Sequence, residues 1–216
     1  MNITHFFIDL DDTIYPAQSG VWKLIKERVY LFMGARYGIP YDDAVLQSRN
    51  YVQTFGTTFK GLSEYYPIDQ DDYFNFVHDI PLEEHLKFDP DLVHALNVLP
   101  GEKFILTNAT SPHARRVLAC LKVADQFNGI IDIKDMAPSC KPHADAFQKA
   151  LEIAGNPDPA NCVFVDDLEN NTRGAMRLGF HAVLFGKTQK TDGCSAALLD
   201  WKQVESHLLE LADAPG

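Results

Sequence analysis

The run Ile3 to Ile8 is apolar and stops at Asp9, and the same figure returns along the chain. Lys103 to Leu106 leads into Thr107 and Asn108, Cys162 to Val165 leads into Asp166 and Asp167, and Ala182 to Phe185 is ended by Gly186. Phe127 to Ile133 is a weaker run between them. Runs this short make poor helices, and without polar alternation they read as parallel strands buried on both faces. Helical stripes lie between them. Val117, Leu118 and Leu121 share one face after Ser111 and Pro112, a pair suited to a first turn. Ala146, Phe147, Ala150, Leu151 and Ala154 make a second stripe ended by Gly155, and Ala175, Leu178 and Gly179 close a third. Strands alternating with helices predict an α/β fold with a doubly wound parallel sheet. Ligands of such sheets sit at the carboxyl ends of the strands, where Asp9, Thr107 and Asp166 fall.

One interval breaks this rhythm. Roughly seventy residues, 15–83, separate the first strand from the next βα unit, far more than an ordinary connection. Val21, Leu24, Ile25, Val29, Phe32 and Met33 recur at helical spacing. Tyr41 to Phe55 carries Asp42 and Asp43 near its start, as a helix N-terminus favours, and Asp71 to His78 fits another helix. The interval is expected to be an inserted helical cap over the active end of the sheet; a packed side domain without a catalytic role is the alternative. Trp22 is expected to pack within it. Ser195 to Leu211 reads as a terminal amphipathic helix, with Ala212 to Gly216 frayed.

Of 216 residues, 46% are hydrophobic and 23% charged, which fits a folded chain of one core domain plus an insertion. The formal net charge of -11 argues against nucleic-acid and anionic-membrane partners, which reward Lys and Arg. It leaves room for a small anionic substrate, because a bound cation overrides the global field locally. Cys120, Cys140, Cys162 and Cys194 have neither disulfide-framework nor zinc spacing and read as reduced thiols, with Cys162 a small core residue. No basic leader precedes Asp9 and no run reaches the ~20 apolar residues of a membrane span. A cytoplasmic location is expected.

The strand ends carry the chemistry. In Asp9-Leu10-Asp11-Asp12-Thr13, carboxylates two positions apart point to one side of an extended chain. Two carboxylates in one place repel, and a hard divalent ion such as magnesium relieves the repulsion while working with substrate phosphate. One aspartate can then attack and the other move a proton. A solvated acidic turn is the alternative. Thr107 and Asn108 offer a hydroxyl and backbone amides to phosphate oxygens, or merely cap a helix. Lys141, before Pro142 and the helix that Pro142 is expected to begin, either neutralises a phosphoryl group and its nucleophile or is a surface lysine. Asp166 and Asp167, with Asn171 following, either complete a metal cage with Asp9 or cap a helix. The eight histidines carry little signal; His113, which follows the second motif, is expected on a helix surface, with a place near the site as the alternative.

Acid pair, Thr, Lys and acid pair occur in that order, each at a predicted strand end or just before the following helix. On Asp9-Leu10-Asp11-Asp12-Thr13, Thr107-Asn108, Lys141-Pro142 and Val165-Asp166-Asp167 with Asn171, the whole chain resembles the haloacid dehalogenase-like superfamily. The resemblance implies a Rossmann-like core of residues 1–14 and 84–216 with a helical cap of residues 15–83. It implies a magnesium-dependent phosphomonoester hydrolase working through an aspartyl-phosphate. Asp9 would be the nucleophile and a metal ligand. Asp11 would be the acid/base, with its main-chain carbonyl on the metal. Thr107 and the amide of Asn108 would hold the phosphoryl group, Lys141 would steady its charge, and Asp166 would be a metal ligand. Asp167 and Asn171 would support it; the Asn171 position suits a subset of the superfamily.

Phe55-Gly56-Thr57-Thr58-Phe59-Lys60-Gly61-Leu62, Asp72-Tyr73-Phe74 through Val77-His78, and Thr107-Asn108-Ala109 with His113-Ala114 resemble the pyrimidine 5'-nucleotidase branch. That implies a nucleoside monophosphate, UMP or CMP above all, as substrate. Sugar phosphates and other small phosphomonoesters are the alternative. A 2-haloacid dehalogenase of the same fold needs no leaving-group acid, and its branch lacks the second aspartate that Asp11 supplies here. A phospho-accepting receiver domain places its acid pair before the phosphoacceptor strand and ends after its lysine, unlike this chain.

Overall fold

The computed structural model describes residues 2–213 and divides the chain into two compact units, Met1–Pro16 with Leu86–Gly216, and Ala17–His85. The order of elements begins with β1 (His5–Ile8) and five helices, α1 (Val21–Tyr37), α2 (Tyr41–Phe55), α3 (Thr58–Tyr65), α4 (Gln70–Val77) and α5 (Leu82–His85). It continues with α6 (Pro90–Val98), β2 (Glu102–Leu106), α7 (Ser111–Leu121), β3 (Gly129–Ile131) and α8 (Ala144–Ile153). It ends with β4 (Cys162–Asp166), α9 (Glu169–Met176), β5 (His181–Phe185), β6 (Ala196–Leu198) and α10 (Trp201–Asp213).

In the first unit, six parallel strands form one sheet in the order β3-β2-β1-β4-β5-β6. The chain fills one side of β1 and then returns to build the other, so the switch in strand order lies at β1 and β4, where α/β sheets open a crevice. The register pairs Phe7 with Phe104 on β2 and with Phe164 on β4. Those three rings join Leu106, Ile131 and Ala182 on one sheet face, against Ala146, Phe147 and Ala150 of α8. Phe6 and Ile8 are buried too, so β1 is covered on both faces, which is why its sequence is apolar without alternation. Truncating a ring such as Phe7 to Ala would cost about 3–5 kcal/mol.

The helical unit is built from matching local signals. Gly20 and Gly38, both in the left-handed region, bound α1. Thr57 caps α3 by accepting from the Lys60 amide, and Asp69 caps α4 by accepting from the Asp72 amide. Val21, Ile25, Val29, Phe32 and Met33 are the buried stripe of α1, and Phe32 meets Tyr73 of α4 edge-on at 5.1 Å. Arg36 grips Asp72 with two hydrogen bonds of 2.8 Å. A Cβ on Gly61 would fall 2.2 Å from Cγ of Tyr51, so α2 and α3 approach closely only because residue 61 is glycine.

Several local expectations change. Pro142 lies in a turn, across a cis bond from Lys141, and the helix begins at Ala144. The tail is not one helix from Ser195: Ala196–Leu198 pairs with β5, and the helix starts at Trp201. That helix runs through Ala212 and Asp213, for which the sequence predicts fraying; 214–216 lie outside the described residues. Trp22 is 37% exposed, beside the buried stripe of α1 that runs through its neighbour Val21. The four cysteines are free, with Cys162 buried in the sheet core. Among the described residues, no helix is long and apolar enough to cross a membrane.

Candidate active site

The β1–β4 ladder runs directly into the site. The Asp9 amide donates to the Val165 carbonyl at 2.9 Å, which sets Asp9 beside Asp166, the last residue of β4. The chain then turns: the Ile14 amide donates to the Leu10 carbonyl, and Asp12 takes φ 59, a left-handed conformation that Asp tolerates better than most residues. Asp11 therefore sits in a turn, and strand alternation does not set its direction relative to Asp9.

Lys141 reaches this point from the turn before α8. Its ammonium donates to Asp9 Oδ1 at 2.6 Å and to Asp166 Oδ2 at 2.8 Å, and the lysine is 1% exposed. It is no surface lysine. Its backbone is fixed by Asn108, whose amide side chain accepts from the Lys141 N–H and donates to the Lys141 carbonyl, both at 3.0 Å. Gly174 of α9 leaves room for the next residue: a Cβ there would fall 2.4 Å from the Pro142 carbonyl oxygen.

Asp166 is fully buried, and Asn171 Nδ2 donates to both of its oxygens at 3.0 Å. Thr13, also fully buried, donates to Asp9 Oδ2 at 3.2 Å and accepts from the Asp167 amide at 3.1 Å, tying the turn after β1 to the end of β4. Carboxylate oxygens of Asp9, Asp166 and Asp167 lie within 4.8 Å of one another. Thr107 follows β2, and its hydroxyl oxygen accepts from the Ala109 amide at 3.0 Å, which orients the side chain.

Asp11 turns to different partners. Tyr15 donates to Asp11 Oδ1 at 2.5 Å, and His113 Nε2 lies 3.1 Å from the same oxygen. Both donors are 1% exposed, so His113 is not a surface residue but a buried one on the first turn of α7. Asp132, after β3, holds that helix start by accepting from the Ser111 amide at 2.7 Å. The sequence alone assigns no role to Thr13, Tyr15 or Asp132. The only signal for Tyr15 was its four-residue spacing from Asp11 within a turn.

The electrostatics favour a cation. Burial, with Asp166 and Asp11 adding to it and Lys141 opposing, pushes the Asp9 carboxyl up from 3.8 to about 7. Burial and then the charges of Asp166 and Asp9 push Asp167 up to about 9. Burial opposes the Lys141 ammonium, but Asp166 and Asp9 outweigh it and hold its pKa above the ordinary lysine value. One ammonium does not balance this group of carboxylates. The oxygen-only donor set of Asp9, Asp166 and Asp167 fits a hard divalent ion of the magnesium type.

Comparison with known proteins agrees with this architecture. Residues 3–179 match the family described as haloacid dehalogenase-like hydrolase. Phosphate metabolism protein 8 of Saccharomyces cerevisiae is 32% identical over 193 residues, which cover 83% of this chain. They cover 60% of the yeast protein, so the chain spans less than two thirds of that relative's length. A conserved haloacid dehalogenase-like protein of unknown function from Agrobacterium tumefaciens superimposes with a TM-score of 0.66 at 19% identity, covering 98% of this chain and 100% of that one. A HAD phosphatase from Thermococcus onnurineus does so with a TM-score of 0.65 at 20% identity, over 95% and 98% of the two chains. At these identities the solved structures speak to the fold.

Proposed function

The chain belongs to the haloacid dehalogenase-like hydrolases, and from that premise we propose that it hydrolyses phosphomonoesters with magnesium, through a phosphoryl group carried on Asp9. The observation that carries this reading is the buried Lys141 ammonium shared between Asp9 and Asp166 at the switch point of the sheet. Such a site offers an oxygen nucleophile with its negative charge already partnered.

In the first half-reaction an oxygen of Asp9 bonds to phosphorus as the ester P–O bond breaks, and Asp11 gives its proton to the leaving oxygen. In the second, water bonds to phosphorus, the P–O bond to Asp9 breaks, and Asp11 takes the water proton. Lys141 offsets charge on Asp9 and on the phosphoryl oxygens throughout. Thr107, oriented by the Ala109 amide, and the Asn108 amide hold the phosphoryl group. Asp9, Asp166 and the Asp11 main-chain carbonyl would hold the magnesium, with Asp167 and Asn171 in support. The ion, when bound, supplies positive charge to the phosphoryl oxygens. Phosphoryl transfer calls for a leaving-group acid, which Asp11 provides; cleavage of a carbon–halogen bond does not.

For substrate we assign nucleoside monophosphates, pyrimidine ones first. The helical-unit segments around Phe55 to Leu62 and Asp72 to His78 support that choice through their likeness to the pyrimidine 5'-nucleotidase branch. The name of the yeast relative supports phosphorus chemistry in general. Four free cysteines support a reducing compartment, the cytoplasm. A hydrolysis screen over nucleotides and sugar phosphates, with magnesium and with chelator, tests all of this. Preference for UMP or CMP in magnesium is expected. Activity confined to sugar phosphates would remove the nucleotidase assignment, and no activity on any phosphomonoester would remove the whole reading.

A further inference from the structure

We infer that Tyr15 and His113 are positioning residues that lock the Asp11 carboxyl in one orientation by meeting its Oδ1 from two different elements. This inference rests on the acid/base reading of Asp11 given above. Tyr15 donates to Oδ1 at 2.5 Å from the turn after β1. His113 approaches the same Oδ1 at 3.1 Å from the start of α7, 102 positions away in sequence. A carboxylate oxygen accepts, so the hydrogen between them belongs to Nε2 of the imidazole.

Both partners are buried at 1% exposure. They approach from different elements, so the two bonds together fix the rotation of the carboxyl group as well as its place. Proton transfer is sensitive to such placement: displacement by about 1 Å can cost on the order of 100-fold in rate.

A further anchor lies behind His113. The Ser111 amide donates to buried Asp132 at 2.7 Å, and Asp132 also accepts from the Lys134 and Asp135 amides. The first turn of α7, and the imidazole it carries, is therefore held from the end of β3. The arrangement gives the acid/base residue a rigid mount made entirely within the sheet-bearing unit.

The test compares Tyr15→Phe, His113→Leu and His113→Gln with wild type and Asp11→Asn, on p-nitrophenyl phosphate and on an alkyl phosphate. Nitrophenolate leaves with little help from an acid, whereas an alkoxide does not. In Tyr15→Phe and His113→Leu, kcat on the alkyl ester should fall at least about tenfold with KM little changed. On p-nitrophenyl phosphate the same variants should release a burst of nitrophenolate equal to the enzyme present, because only the later, Asp11-dependent hydrolysis is slowed. His113→Gln, which keeps an N–H near the Nε2 position, should recover part of the loss. A residue that merely stabilises the fold would lower both esters alike and give no burst. If Asp11→Asn shows the burst and neither Tyr15→Phe nor His113→Leu does, the positioning role is wrong while the functional reading stands. If Asp11→Asn itself shows neither burst nor leaving-group dependence, the acid/base assignment falls and this inference falls with it. Should Tyr15→Phe fail to fold, the contrast between His113→Leu and His113→Gln decides alone.

Discussion

Lys141 Nζ lies 2.6 Å from Asp9 Oδ1 although 132 positions of sequence separate them, and the same nitrogen lies 2.8 Å from Asp166 Oδ2. One buried cation thus joins the ends of the two strands that flank the topological switch. Removing it strands two buried carboxylates without their cation. Lys141→Met should destabilise the metal-free protein by about 3–5 kcal/mol, read by denaturant unfolding, because the partners lose their compensation. It should also lower kcat at least about 100-fold. Lys141→Met with wild-type turnover would show that the ammonium only braces the fold.

The carboxylates also make metal-free stability depend on pH. Asp9 and Asp167 rise from 3.8 in the unfolded chain to about 7 and about 9 when folded, so across this window the folded state binds more protons. Their contribution is fully present below about pH 4 and is lost as pH rises through about 7 and then about 9. Melting temperatures in chelator should therefore fall across that range. Magnesium, which binds the ionised forms, should raise them most at the alkaline end. A melting temperature indifferent to magnesium at all pH values would count against the metal assignment.

Asn171 donates to both oxygens of Asp166. Asn171→Ala leaves the carboxylate in place but releases its orientation, and the magnesium concentration for half-maximal activity should rise about 10- to 100-fold. Saturating magnesium should restore most of kcat. An unchanged magnesium dependence would mean that Asp166 is held well enough by Lys141 alone.

Gly174 permits the closest backbone approach near the site, since an added Cβ would fall 2.4 Å from the Pro142 carbonyl. Gly174→Ala must push α9 away from the turn that carries Lys141. A loss of about 1–3 kcal/mol in stability is expected. A drop in kcat should persist at temperatures where the variant is fully folded. Gly174→Ala with normal stability would show that the turn yields without cost.

The strand ends that carry the site were legible in the sequence because their apolar runs terminate at the residues it uses, as Ile8 gives way to Asp9 and Val165 to Asp166. Lys141 was legible only by its place in the motif order; its burial depends on packing from elements far along the chain. Tyr15 is not legible for the same reason, and His113 is legible only as a residue that follows Thr107-Asn108. Their shared partner Asp11 turns with the chain after β1, and no local pattern reports a contact across 102 positions. Strand β6 is not legible in the sequence, since Ala196–Leu198 is too short for an alternation and its partner, β5, supplies the reason it is extended. Helix α6 has a local signal in Asp89 and Pro90, which form a regular helix start.

The central claim is that Asp9 carries the phosphoryl group, and trapping that group tests it most directly. Rapid acid quenching during turnover of a radiolabelled phosphomonoester, followed by peptide mapping, should place a hydroxylamine-labile label on the peptide containing Asp9. Asp9→Asn should carry no label and turn over no substrate. Wild-type turnover by Asp9→Asn, or label on a peptide lacking residue 9, would contradict the account.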